Sequence, residues 1–132
     1  MTRKQAREAM LQLLFELEAA GEMNLEVLET KCRERISGKE HDRSWSILKS
    51  TVTNLDSIDD KINQYSKAWK TSRMPKVDLA ILRLAVGESR YADDVSDAVV
   101  VSESINLSKK FSTEQSASFI HGVLGNVLKD EQ

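Results

Sequence analysis

The chain is poor in residues that break or cross-link a backbone: one proline, five glycines and one cysteine among 132 residues. So few turn-formers speak against a β-sandwich, which needs a tight turn between each pair of short strands. The lone Cys32 has no partner for an internal disulfide, which points to a reducing compartment. Long apolar runs are missing as well. Arg3, Lys4 and Arg7 followed by residues 9–15 come nearest to a signal sequence, and Gln12, Glu16 and Glu18 interrupt the run. No stretch approaches the ~20 apolar residues of a membrane span, so the expectation is a cytoplasmic protein that uses no membrane. Enzyme signatures are absent too: no glycine-rich phosphate loop, no HExxH and no CxxC. Cys32, His41 and His121 do not fall at ligand spacing, so neither a metal nor a cofactor is expected. Catalytic residues are therefore expected to be none.

What is present is helix. Residues 77–88, VDLAILRLAVGE, hold eight apolar side chains in twelve, broken only by Asp78, Arg83, Gly87 and Glu88. A helix apolar on every side belongs inside, with others packed round it. Pro75, just ahead of it, suits a helix start. The flanking segments carry apolar stripes at three- and four-residue spacing. The first is expected from Arg3 to Ala20, closed by Gly21. Asn24 caps the second, which Gly38 closes. The third starts near Asp42, and Asp56 or Ser57 caps a fourth whose face carries Ile58, Ile62, Tyr65 and Trp69. The buried helix runs from Pro75 to about Tyr91. Residues 95–107 contain three consecutive valines with strand preference, yet Val95, Val99, Ser102 and Ile105 fit a helix capped by Asp94. Ser112 with Gln115 makes a capping-box pattern for the last, whose stripe ends at Leu128. The expectation is all-α: about seven helices, two small antiparallel bundles around the buried central one, in a single domain of residues 1–132.

Net charge is −2, unevenly spread. Residues 1–10 sum to +2 and residues 66–77 to +4, so the rest carries −8. Basic charge gathered on an acidic body suits a docking surface for phosphate. Arg3, Lys4 and Arg7 could reach phosphates, or could simply be a solvated terminus. Lys67, Lys70, Arg73 and Lys76 recur around Trp69, whose alignment with Ile62 and Tyr65 assigns it to the core. Cys32 sits on an apolar face and reads as a buried thiol.

Three segments, RKQAREAMLQLLFELE, WKTSRMPKVDLAILRLAVGE and NLSKKFSTEQSASFIHGVLGNVL, resemble in order the transcription antitermination factor NusB family. The resemblance implies an all-helical fold and a non-catalytic role: binding a single-stranded boxA-type RNA together with the ribosomal protein NusE. The pair would then join other Nus factors and RNA polymerase and suppress premature termination, notably in ribosomal RNA operons. Carried over by position, it implies RNA contacts at Arg3, Lys4, Arg7, Arg83, Gln115 and Phe119, and partner contacts at Phe15 and Asp78. The chain departs from the family pattern at Ser96, Ser102, His121 and Gly125, and Gln115 stands where an aspartate is usual. Three other readings remain: a protein-binding or self-associating helical module, including a homodimer; the RNA-targeting domain of a ribosomal RNA methyltransferase; and an unrecognised hydrolase, for which no sequence feature speaks.

Overall fold

The computed structural model describes residues 1–132 and contains seven α-helices and no strand. In chain order they are α1 (Arg3–Ala20), α2 (Leu25–Arg35), α3 (Lys39–Thr53), α4 (Leu55–Tyr65), α5 (Lys76–Tyr91), α6 (Asp97–Phe111) and α7 (Glu114–Asp130). A single 3₁₀ turn, Thr71–Arg73, lies between α4 and α5. One bundle is α1–α3 and the other is α4–α7, with α5 packed against α1, α3, α4, α6 and α7. Every residue of α5 from Asp78 to Glu88 is buried.

That burial includes three ionisable side chains, Asp78, Arg83 and Glu88. Their five-residue spacing turns each about 140° from the last, so they leave the helix in three directions. Each meets a different neighbour. Asp78 accepts from the Ser112 and Ser116 hydroxyls at the α6–α7 junction, both at 2.8 Å. Arg83 reaches Asp59 of α4 at 2.7 Å and Glu18 of α1 at 2.9 Å. Glu88 takes Arg7 of α1 at 2.8 Å and Arg43 of α3 at 2.9 Å. Buried charge persists only when so partnered, and the pairings fix which helix lies where.

Several helix ends differ from expectation, each for a local reason. The start of α1 uses a capping box between Thr2 and Gln5 that hydrophobic spacing does not reveal. Gly38 begins α3 rather than closing α2: its φ of 65° is glycine territory and turns the chain between the two helices. Thus α3 starts at Lys39, before Asp42. Asn54 serves both the end of α3 and the start of α4, leaving Asp56 and Ser57 inside the first turn of α4. Ser96, not Asp94, caps α6, because Asp94 is bound to Arg43. Thr113, not Ser112, caps α7, because the Ser112 hydroxyl is given to Asp78.

Candidate nucleic-acid interface

The eight residues singled out in the sequence separate by depth. Lys4 is exposed and has no ion-pair partner. Arg3 is partly exposed, and its guanidinium rests between Glu40 at 3.3 Å and Asp94 at 3.2 Å. Arg7 is not part of the solvent-facing basic opening. It is only 6% exposed, and its Nε and Nη2 donate to Glu88 at 3.0 and 2.8 Å. Arg83 and Asp78 are also interior, at 5% and 0% exposure, because the central helix turns them toward its neighbours. Gln115 is exposed with its side-chain amide unpartnered, and Phe119, one turn on, is half-buried. Phe15 is half-buried against the core at the other end of α1, beside a shallow depression shared with Ala19, Ala20 and Lys31.

Lys4 stands on one wall of a cleft of about 390 Å³ between the start of α1 and the second half of α6. Arg7 and Glu8 lie beside it, and Glu103, Asn106, Leu107, Lys109 and Lys110 line the other side. Lys110 Nζ bonds Glu8 at 2.7 Å and lies 5.4 Å from the Phe111 ring centroid. Lys109 has no partner. At the α6–α7 junction the Asp78–Ser112–Ser116 bonds anchor the start of α7 and so set where Gln115 and Phe119 project. The unpaired lysines and asparagine of this mixed-charge cleft can hold phosphate, and a free amide with an aromatic side chain on α7 can hold a base.

Trp69 is the residue the sequence reading misplaced. The stripe Ile62–Tyr65–Trp69 assumed that α4 continued, but α4 ends at Tyr65 and Trp69 lies beyond it. Its side chain is 42% exposed and meets Phe119 edge-on, ring centroids 5.2 Å apart at 71°. Only the end of α4 could have revealed this, and no glycine or proline marks that end.

Ionisation follows the pairings. Burial works against the charge on Arg43, yet hydrogen bonds to Asp94 and Glu88 outweigh it and hold its pKa above the usual arginine value. Arg83 behaves alike through Asp59 and Glu18. Asp94, bonded by Arg43, is held below the ordinary aspartate value. Burial, with Glu29 nearby, lifts the Cys32 thiol to about 11, so no reactive thiolate is available there. No group of three His, Cys, Asp or Glu side chains is placed to hold a metal ion. No helix is long and apolar enough to cross a membrane.

Fold and surface together define an all-helical recognition module, organised on a buried helix, with free polar groups at the α1–α6 cleft and on the first turns of α7. The chain belongs to the NusB family, whose pattern matches residues 4–129. It is 39% identical over 131 residues to the transcription antitermination protein NusB of Acetivibrio thermocellus, covering 98% of this chain and 90% of that protein. The NusB protein of a Nocardioides species is 36% identical over 129 residues, with 98% and 95% covered. Among solved structures, NusB of T. maritima superposes with a TM-score of 0.89 at 29% identity, over 98% of this chain and 92% of that one. A crystal structure of the antitermination factors NusB and NusE in complex with dsRNA also matches, with a TM-score of 0.83 at 25% identity and 97% and 96% covered.

Proposed function

We propose that this protein is an RNA-binding transcription antitermination adaptor, a single domain spanning residues 1–132. It holds a single-stranded boxA-type RNA together with the ribosomal protein NusE. The pair joins other Nus factors on RNA polymerase in the cytoplasm and suppresses premature termination, notably in ribosomal RNA operons. It works by holding, not by catalysis, and needs no cofactor. Family membership supports the role, and the solved relative bound to NusE and RNA supports the partners. The observations that carry the reading for this chain are the cleft with unpaired Lys4 and Lys109 and, on α7, the free amide of Gln115 with the half-buried Phe119 one turn on.

Roles then divide by depth. Lys4 contacts phosphate directly, and Arg3 does so in competition with Glu40 and Asp94. Gln115 bonds base edges and Phe119 stacks. Arg7, Arg83 and Asp78 act from inside, holding α1 and α7 in register with α5. Phe15 and its depression face the protein partner.

The test is binding of a labelled boxA-type RNA and a scrambled control, with and without NusE, across a salt series. The reading expects preference for boxA, strengthened by NusE and weakened by salt. Weak binding indifferent to both sequence and NusE overturns it.

A further inference from the structure

We infer that the connection between α4 and α5, residues 66–75, together with Lys76 is a second nucleic-acid contact, with Trp69 as a stacking face and its flanking cations on phosphates. The inference rests on the RNA-binding role proposed above and extends that surface beyond Phe119.

The first observation is a contrast among cations. Seven of the eight arginines are held in ion pairs with carboxylates, and Arg73 is the exception. Lys67, Lys70 and Lys76 are likewise exposed, and none of the four cations has a hydrogen-bond or ion-pair partner. No acidic residue lies within residues 66–77 to neutralise them. On a chain of net charge −2 whose acids engage all seven other arginines, this is a concentration of uncompensated positive charge.

The second observation is that the segment is built, not slack. Asn63 grips Thr71 twice, accepting from its backbone N–H at 2.8 Å and donating to its hydroxyl at 3.2 Å. The Ser66 hydroxyl donates to the Trp69 carbonyl. Backbone N–H groups of Arg73 and Met74 both donate to the Lys70 carbonyl, at 2.9 and 3.1 Å. Met74 is buried and anchors the far end in the core. The Trp69 ring is thus presented in a set orientation, braced on Phe119, with much of its surface in water.

The third observation is continuity. Phe119 belongs both to the α7 face that carries Gln115 and to the Trp69 pair, so the two aromatics bridge the first surface to the second. A fixed aromatic flanked by unpaired cations is the arrangement that binds a single strand, bases stacking on the ring while the backbone tracks the charge. An acidic protein partner would use the cations but would leave Trp69 without a planar group to cover.

The test reads Trp69 and the cations separately. A Trp45→Phe background leaves Trp69 as the sole tryptophan, since the chain has two. BoxA-type RNA extended by several nucleotides at both ends should quench Trp69 emission in this background, while an unextended oligonucleotide quenches it less. The triple variant Lys67→Gln, Lys70→Gln, Arg73→Gln should bind the extended RNA at least about tenfold more weakly. Its salt slope should flatten by about two, at roughly 0.7 per lost single-strand phosphate contact. Parent and triple variant should differ little on the unextended RNA. If the extended RNA binds both proteins with one affinity and one slope and leaves Trp69 emission unchanged, this second contact is overturned while the RNA-binding role stands. If the parent binds no RNA at all, the role falls and this inference with it.

Discussion

Lys4 and Arg7 lie three residues apart on α1 and meet opposite environments. Lys4 is free in water at the cleft, whereas Arg7 is buried on Glu88 at 2.8 Å. Substitution should separate them by readout. Arg7→Ala leaves Glu88 with Arg43 alone, and breaking a buried pair costs about 3–5 kcal/mol. The remaining arginine places the expected loss near the lower end, about 3 kcal/mol by urea denaturation. Lys4→Ala should leave the urea midpoint unmoved and weaken RNA binding, with the salt slope flatter by roughly 0.7. Asp94 offers a pH-dependent test in the same network. Its folded pKa is depressed below 3.8 by Arg43, so its contribution is present above that value and lost as pH falls through the folded one. Because its side chain is 45% exposed, the contribution should be less than about 1 kcal/mol. Asp94→Asn should therefore melt slightly below the parent at neutral pH. The gap should close in acid, as calorimetry at a series of pH values would record.

At the scale of elements, α3 approaches α5 closely at Gly87. A Cβ added at Gly87 would stand 1.9 Å from Thr51 Oγ1 and 3.1 Å from its Cβ, a spacing no side chain tolerates. Gly87→Ala should raise helix propensity by about 1 kcal/mol. The forced separation of the helices costs typically 1–3 kcal/mol, so net destabilisation is expected. Thr51→Ala removes the nearest clashing atom, so the double variant should be more stable than the two single losses added together. A denaturation cycle over the four proteins measures that coupling. The same crossing marks how far a linear reading reaches. The all-round apolar run from Val77 made the burial of α5 legible, and the periodic stripes made seven helices legible. The ends were less so, because Ser112 and Asp94 look like caps and are claimed by Asp78 and Arg43, far away in sequence. Trp69 continued a stripe on paper, but its helix had already stopped at Tyr65. Likewise Arg7 looks like its neighbours Arg3 and Lys4 until Glu88, 81 residues on, is placed beside it.

For the whole molecule, the distribution of partners matters more than the totals. Acidic side chains hold α1, α3, α4 and α5 together through arginines, which leaves the unpaired lysines Lys4 and Lys109 at the α1–α6 cleft. Phe15 lies on the C-terminal half of the same helix, eleven residues from Lys4, or about 16 Å at 1.5 Å per residue. One rigid helix thus carries a residue proposed for RNA at one end and a residue proposed for NusE toward the other. Two weak contacts on one rigid body reinforce each other by raising effective concentration, without new contacts. The expected signature is a separable loss. Phe15→Ala should bind boxA-type RNA alone with the parental affinity, because the cleft is untouched. It should also lose most of the strengthening that NusE confers on the parent. Partial exposure of Phe15 and its packing on the core mean some stability is lost too, so the titration is run well below the variant's melting temperature. Equal strengthening of parent and variant by NusE would move the partner surface away from α1. A variant weakened toward RNA alone would instead place Phe15 in support of the cleft.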